Sequence, residues 1–276
     1  MLATPSQSDD GASLERKRGW FRPHATNEKV KLKNGPKVEN KAYGSYVGGE
    51  SEMYNFGHGW SGIFGAYVGY EHSRQEYDEV SIRQNGGKIG VLGMAYKGNF
   101  YTGLTLNAGI SEAKAHTVYG KEDFTLLMSG IASKTGYNAE FANGKFVIQP
   151  NWLMSYSYIN TSNYTNAADV RIHSTPLQAI QLQPELKFIG NLEAGCQPYA
   201  SVAMVWTSMD DTKFRANDAT LPELSVKPYA KYGVGIRKAW DEGYAGFVQT
   251  YITDGGRKGV GFQAGFTWEF GGGKNK

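Results

Sequence analysis

The chain has 276 residues and a formal net charge of +3, with 36 glycines, 18 tyrosines and a single cysteine. This charge is too small to indicate a nucleic-acid partner, and one cysteine excludes an internal disulfide, so Cys196 is expected to act as a small filler residue. No stretch approaches the roughly 20 consecutive apolar residues of a membrane-spanning helix, but a barrel strand faces lipid only at every second residue and needs no such stretch.

The first segment, residues 1–19, carries no secretory signal. It places acids before bases and contains no apolar core of the kind that a secretory signal requires. We therefore expect either a true start further upstream or, as the alternative that we favour, a C-terminal piece of a longer polypeptide.

From residue 20 to residue 270 the sequence predicts one all-β domain, in which strands alternate with turn signals. We place strands near 20–32, 41–51, 60–73, 87–97, 99–113, 124–141, 145–160, 175–189, 196–208, 226–239, 243–253 and 259–270. An even number of strands, here twelve, is typical of single-chain bacterial outer-membrane barrels.

The side chains of these strands alternate with a period of two. In the last strand Phe262, Ala264, Phe266, Trp268 and Phe270 share one face, and the opposite face carries Gln263, Gly265, Thr267 and Glu269. A soluble β-sandwich also alternates, but its strands average roughly 5–6 residues, and aromatic residues gather here near strand ends, as in interfacial girdles. The pattern therefore predicts a 12-stranded antiparallel transmembrane β-barrel with an up-and-down meander.

The connections alternate between short and long, as outer-membrane barrels require. Short periplasmic turns are predicted at 52–59, at Gly98, and at 142–144, 190–195 and 240–242. Longer outer connections are predicted at 33–40, 74–86, 114–123, 161–174 and 209–225, with 254–258 as a short exception.

Four prolines recur after Gln or Lys in similar strand contexts: Pro150, Pro184, Pro198 and Pro228. Because proline cannot donate to a strand ladder, we expect each of them near a strand end or at a bulge.

Several segments together resemble the autotransporter β-domain family, the translocator of type V secretion in Gram-negative bacteria. They are Trp20–Arg22, YGSYVGGESE at 43–52, GAYVGYEHSR at 65–74, GYNAEFANGKFVIQPNWLMSYSY at 136–158 and GYAGFVQTYITDGGRKGVGFQAGFTWEF at 243–270. The resemblance covers about residues 20–270 and implies a barrel in the outer membrane.

The last strand resembles the insertion signal of that family, with Gln263, Gly265, Trp268 and Phe270 at the matching positions. Such a strand can offer an unpaired edge for capture by the barrel assembly machinery through β-augmentation. The family usually ends at the final aromatic residue, whereas here residues 271–276 follow as a flexible tail.

The resemblance implies that the barrel anchors an N-terminal passenger and assists its export to the cell surface. Residues 1–19 would be the remnant of a linker or helix that threads the lumen, and the implied partners are outer-membrane lipid, the assembly machinery and the protein's own passenger. The predicted lumen-lining residues are Lys145, Lys227, Lys231, Arg237 and Glu269. No Asn-Asn pair is present, so self-cleavage at such a pair is not transferred.

Two alternatives stay open at this point, a passive porin-like channel and, with less support, a barrel-mouth hydrolase. The hydrolase hypothesis depends on Asp210, Asp211 and Asp218, which an outer loop that needs solubility explains more simply. No catalytic residue, cofactor or metal is predicted, because the five histidines have no metal-ligand spacing and the usual hydrolase motifs are absent. They are His24, His58, His72, His116 and His173.

Overall fold

The structure is a computed structural model that describes residues 16–32, 37–118, 120–165, 168–169, 171–173, 176–209, 215–216, 219–220, 226–240 and 243–270. Twelve long strands dominate this part of the chain. In chain order they are β1 (Lys17–Lys31), β2 (Lys37–Glu50), β3 (Trp60–Tyr77), β4 (Val80–Lys97), β5 (Phe100–Thr117), β6 (Gly120–Tyr137), β7 (Phe146–Thr161), β8 (Leu177–Gly190), β9 (Cys196–Met209), β10 (Tyr229–Trp240), β11 (Tyr244–Gly255) and β12 (Arg257–Phe270).

Each strand pairs antiparallel with the next one in the chain, and β12 pairs back with β1 to close the sheet. The closing register places Lys17 opposite Phe270 and Val30 opposite Arg257. Closure removes both edges of the sheet, which an open sheet in lipid could not tolerate. The predicted closed, 12-stranded, up-and-down barrel is therefore confirmed. Within the described residues, no helix is long and apolar enough to cross a membrane.

Side chains alternate between the outer wall and the barrel interior along every strand. In β4, Ile89 and Val91 are exposed, whereas Lys88 and Leu92 are buried. A continuous apolar outer surface of this kind indicates contact with lipid rather than water. Its members include Phe21, Val47, Phe64, Val68, Ile89, Val91, Leu104, Leu106, Ile110, Leu127, Ile131, Trp152, Met154, Val202, Val234, Ile236, Val248, Ile252, Val260, Phe262, Phe266 and Phe270.

The strands run further at the end of the barrel that lies away from the termini than the sequence predicts. Segments 74–86 and 114–123 were predicted as long outer connections, and this is wrong. β3 continues to Tyr77 and β4 begins at Val80, so that Asp78, with a φ of 47°, and Glu79 form a tight turn. Beyond the apolar belt the outward face of these hairpins becomes polar, whereas the inward face keeps apolar residues such as Ile82 and Ala113. The outward-apolar alternation is therefore lost although the ladder hydrogen bonds continue.

Two long outer connections meet above the rim of the barrel. Four short strands join them into a small antiparallel sheet, in which Ile172 lies opposite Ala216. These strands are Tyr164–Thr165, Arg171–His173, Arg215–Ala216 and Ala219–Thr220. The acids of the hydrolase hypothesis, Asp210, Asp211 and Asp218, lie outside the described residues, as do residues 1–15 and 271–276.

Pro184 does not obey the expectation that the recurring prolines lie near strand ends or bulges. It lies in the middle of β8, opposite Trp152 of β7. On the other side, the pairs with β9 pass from Leu182–Trp206 to Glu185–Ala203 without a change of register. The ladder is thus interrupted locally, since proline has no N–H to donate.

Candidate functional site: the barrel lumen and the strand seam

A cavity in the barrel interior contains about 1100 Å³ of empty space, part of which is open to solvent. Its wall is mostly polar, because the positions that alternate with the lipid-facing residues carry amides, hydroxyls and charges. The lining residues include Arg22, His24, Lys134, Asn151, Ser155, Gln181, Gln183, Glu185, Lys187, Lys231, Gln249, Tyr251 and Gln263.

This lining is predominantly basic. Lys134, Lys187 and Lys231 join Arg22 in the cavity wall, whereas Glu185 is the carboxylate among the lining residues. Tyrosine rings on adjacent strands hold two of these ammonium groups, since an aromatic face attracts a cation. Lys187 Nζ lies 4.2 Å from the centre of the Tyr199 ring, and Lys231 Nζ lies 4.0 Å from that of Tyr251.

Aromatic side chains fill the opposite side of the lumen, on β1 to β4. The Tyr46 and Tyr67 rings meet edge to face at 5.7 Å, and Trp20 lies 6.1 Å from Tyr67. Leu92 completes this buried cluster. A second cluster, nearer the end of the barrel that carries the chain termini, contains Ile63, Met94 and Tyr101. The two clusters therefore occupy one side of the lumen, and the cavity lies along the other, basic side.

An ionic group lies beside the aromatic cluster. Lys88 Nζ donates to Glu71 Oε2 at 3.1 Å, and the Tyr46 hydroxyl donates to the same carboxylate. The Lys88 ammonium also lies 5.9 Å from the centre of the Tyr46 ring. The charges are thus paired, which lowers the cost of burying them in the wall.

Buried charges also form the mouth of the lumen at the end that carries the chain termini. Arg18 Nη2 donates to Glu50 Oε2 at 2.6 Å, with the two side chains 1% and 3% exposed. Arg18 lies between Glu50 of β2 and Glu269 of β12 in the strand register. Arg16, just before β1, places Nη1 3.9 Å from Glu269 Oε2. Arg16, the residue just before β1, therefore lies at this mouth.

A second ion pair crosses the seam between β1 and β12 at its other end. Arg257 Nη1 donates to Glu28 Oε1 at 2.9 Å, and Asn40 Nδ2 donates to the same oxygen at 3.2 Å. Both ends of the seam are thus closed by inward-facing charges.

Comparison with known families decides the identity of this barrel. The family model described as "Autotransporter beta-domain" matches residues 19–250. The chain belongs to the autotransporter β-domain family. Among curated proteins, none matches the chain in sequence.

Solved autotransporter translocators share the fold of this β-domain. The β-domain of the Bordetella autotransporter BrkA has 15% identity and a TM-score of 0.77, covering 92% of this chain and 100% of that one. The transport unit of AIDA-I from Escherichia coli has 13% identity and a TM-score of 0.77, with 99% and 93% covered. The translocator domain of NalP from Neisseria meningitidis has 11% identity and a TM-score of 0.76, with 95% and 91% covered.

This autotransporter β-domain is accordingly an outer-membrane translocator barrel. The alternative of a passive porin-like channel is not favoured, because the family match covers most of the barrel.

The structure places the five predicted lumen residues in two groups. Lys231 lines the cavity of the β-domain, and Arg237 and Glu269 also face inwards, near the periplasmic mouth. Lys145 and Lys227 instead lie just before β7 and β10, with exposed side chains, so the structure does not bring them into the cavity wall. The predicted strands began too early at both positions. That these residues contact a threaded segment stays a prediction.

Sequence reasoning missed most of the charged lumen residues. Arg22, Lys88, Lys134 and Lys187 were not singled out, although each occupies the strand face opposite exposed apolar neighbours. The available signal was a charge out of phase with the apolar positions of the same strand.

The four residues of the predicted insertion signal have distinct surroundings in β12. Gln263 lines the cavity, whereas Phe270 is exposed on the outer wall. Gly265 lies against the Phe247 ring, which occupies the space that a side chain would need. Trp268 covers Gly19 of β1 in the same way across the seam. The role of these residues in insertion stays a prediction.

Metal-dependent chemistry finds no support in the described part of the chain. No group of three or more His, Cys, Asp or Glu residues is placed to hold a metal ion there. His24 instead stacks on Tyr46 at 5.5 Å, and His72 stacks on Tyr43 at 4.7 Å.

Proposed function

We propose that this translocator barrel assists export of an N-terminal passenger to the cell surface and then anchors it through a segment that runs inside the lumen. In this proposal the residues before β1, 1–16, are the end of that segment, because Lys17, Arg18 and Gly19 of the predicted linker 1–19 belong to β1. The barrel itself has no catalytic activity, and it enters the membrane with the help of the barrel assembly machinery, which captures β12.

The observation that carries the proposal is where β1 begins. The Arg16 guanidinium lies at the periplasmic mouth, 3.9 Å from the inward-facing Glu269. A passenger attached upstream of residue 16 must therefore cross the membrane from this mouth if it is to reach the surface. The lumen offers a route that avoids exposing a polypeptide backbone to lipid, which costs several kcal/mol for each unsatisfied group.

The chemistry of the wall suits a polypeptide guest. The Asn151 side chain is 7% exposed and lines the cavity, and its amide makes no hydrogen bond to the described residues. Both atoms are buried, so a peptide backbone pairs with them only after the Asn151 side chain turns towards the cavity. The basic lining also complements the acids of the upstream segment, namely Asp9, Asp10 and Glu15.

An export assay tests this function. A signal peptide and a protease-sensitive reporter are fused upstream of Met1, and surface exposure is measured by adding protease to intact cells. We expect the wild-type barrel to deliver the reporter to the surface. The double variant Lys134→Glu/Lys187→Glu should slow export, because it replaces two basic groups of the lining with acids that repel the linker.

The matched control is Lys97→Glu/Lys145→Glu, which makes the same charge change at exposed positions near the periplasmic end. It should export the reporter at the wild-type rate. The fraction of folded barrel is measured in parallel from its resistance to trypsin and its mobility in unheated gels. If folded wild-type barrel left the reporter in the periplasm, or if both double variants slowed export equally, the proposed route through the lumen would be wrong.

A further inference from the structure

Four basic side chains stand next to one another on the outer wall of the barrel, one on each of the strands β2 to β5. Lys41 lies directly opposite Arg74, Arg74 opposite Arg83, and Arg83 opposite Lys114. We call these four residues the basic row. Neighbouring strands lie about 4.8 Å apart, so the row places four positive charges within about 15 Å along the sheet.

All four side chains point away from the lumen and are exposed. Each has the same parity as a lipid-facing neighbour on its own strand, for example Ile110 for Lys114 and Ile89 for Arg83. The residues that flank Lys114, Ala113 and Ala115, are instead buried. The row therefore belongs to the surface that the barrel presents to the membrane and not to the translocation route.

The basic row lies at the depth of the lipid headgroups along the outer wall of the barrel. The next outward-facing positions towards the middle of β2, β3 and β4 are Tyr43, His72 and Asn85, and His72 Nδ1 lies 2.6 Å from Asn85 Oδ1. Beyond them the same face becomes apolar with Val68 and Ile89. Tyrosine and polar side chains of this kind mark the boundary between hydrocarbon and headgroups, so the row lies on the headgroup side of that boundary.

Protein acids neutralise the row only in part. Arg74 pairs with Glu76, Asp123 lies directly opposite Lys114 on β6, and Glu112 is exposed on the same face of β5, two residues from Lys114. Within the described residues, Lys41, Arg83 and Lys114 have no ion pair. Like charges directly opposite one another destabilise a sheet, so three adjacent cross-strand pairs of cations favour an anionic partner outside the protein.

The row lies at the extracellular end of the barrel. The long connections 162–176 and 210–228 are at the same end, away from the paired termini Lys17 and Phe270. Outer-membrane barrels place their long connections outside and their short turns in the periplasm.

We propose that the basic row binds the phosphate groups of a multiply phosphorylated lipid in the outer leaflet of the outer membrane. Lys and Arg near a membrane surface attract anionic headgroups, and the Arg guanidinium matches phosphate geometry with paired donors. A lipid is favoured over a soluble phosphate because the row continues directly into the apolar wall, which contacts the acyl chains of the same molecule. The proposal rests on the outer-membrane location of the barrel and not on its role in export.

The experiment compares ligands on the full-length chain refolded in a zwitterionic detergent. Binding is measured from the rise in thermal unfolding temperature and from direct titration, with diphosphorylated lipid A, its dephosphorylated form and inorganic pyrophosphate as the three probes. We expect the diphosphorylated lipid to bind and to stabilise the barrel. The other two probes should bind much more weakly, since one lacks the charge and the other lacks the acyl chains.

The variant Arg83→Gln/Lys114→Gln removes two charges of the row and should weaken binding by about thirtyfold, or about fivefold for each basic group. The matched control Lys227→Gln/Lys258→Gln removes two exposed charges near the same end of the barrel but outside the row. It should bind like wild type. Circular dichroism and unheated gel mobility show that each variant is folded before binding is measured.

Three results would overturn the proposal. Equal losses in the two double variants would mean that overall charge, and not the row, governs binding. Equal binding of the dephosphorylated lipid would reduce the contact to apolar adsorption, and saturable binding of pyrophosphate at the strength of the lipid would indicate a site for soluble phosphate. None of these results affects the export assay, so the failure of this proposal and the failure of the proposed function are distinguishable.

Discussion

Arg18 and Glu50 form an ion pair of 2.6 Å inside the barrel, between β1 and β2. The pair lies beside the seam at which β1 also meets β12. Glu269 of β12 is the other cross-strand partner of Arg18, and its side chain is 6% exposed. Arg18 thus has an acidic residue directly opposite it on both neighbouring strands, and its guanidinium pairs with Glu50 while Glu269 pairs with Arg16. The arrangement joins barrel closure to the ion pairs at the periplasmic mouth.

Replacing Glu50 with Gln should destabilise the barrel strongly. It leaves the Arg18 charge buried with less compensation, and removing one partner of a buried pair typically costs about 3–5 kcal/mol. The measurement is urea unfolding of the barrel in lipid vesicles. The control Glu52→Gln changes the same chemical group at an exposed position just after β2 and should stay within about 0.5 kcal/mol of wild type. A loss for Glu50→Gln no larger than that of the control would contradict the assigned role.

The outer end of the seam should depend less on its ion pair. Glu28 accepts from Arg257 and Asn40, but the Arg257 side chain is 24% exposed and keeps access to solvent. Glu28→Gln should therefore cost about 1–3 kcal/mol, less than Glu50→Gln in the same unfolding assay. Glu39→Gln breaks the exposed pair with Lys29 and should have little effect. If Glu28→Gln lowered the unfolding free energy more than Glu50→Gln, the extracellular end of the seam would contribute more to stability than the periplasmic end.

The lipid-facing half of the fold could be predicted from the sequence because its signal is a simple alternation. Phe262 to Phe270 shows that alternation, and all of its even-numbered positions face outwards as expected. The tips of β3 to β6 could not be predicted in the same way, because polar residues replace the apolar ones on the outward face once the strands leave the apolar belt. The same alternation, applied to charged positions, places Lys88 and Lys134 on the inward face of their strands.

Other parts of the site depend on strand register, which local patterns do not determine. The pairing of Arg18 with Glu50 and the row from Lys41 to Lys114 both require knowledge of which residues lie opposite each other on neighbouring strands. A shift by one residue would move each side chain to the other face. Lys145 and Lys227 were misplaced for a different reason, because their strands begin later than the sequence indicates.

Substitution of Gly265 should destabilise the barrel through packing, an effect that can be measured separately from recognition of the insertion signal by the assembly machinery. A methyl group at this position would overlap the Phe247 ring, so Gly265→Ala is expected to cost about 1–3 kcal/mol through overpacking. Adding Phe247→Leu removes the ring and should restore most of that loss. Gly87→Ala is the control, because the nearest atom to its added methyl group lies 3.9 Å away. Lack of rescue by Phe247→Leu in vesicle unfolding experiments would argue against the packing explanation.

Phe270 should matter for insertion in cells far more than for the stability of the finished barrel. Its side chain is 48% exposed on the outer wall and follows Trp268 on the same face of the closing strand. Because unfolding moves a partly lipid-facing ring into water, Phe270→Ala is expected to lower the unfolding free energy in vesicles by about 1–2 kcal/mol, a loss that leaves the barrel folded.

In cells, the same substitution removes the last aromatic residue that the assembly machinery would read on an unpaired β12 edge, so most of the barrel should fail to reach the outer membrane. The control is Phe64→Ala, which removes a ring that is 55% exposed on the same outer wall of β3. The amount of barrel in outer-membrane fractions is compared with the yield of refolding in detergent. An equal drop in the membrane fraction for both variants would assign Phe270 to general lipid contact, whereas a drop for Phe270→Ala alone, with normal refolding, supports an insertion signal at the end of β12.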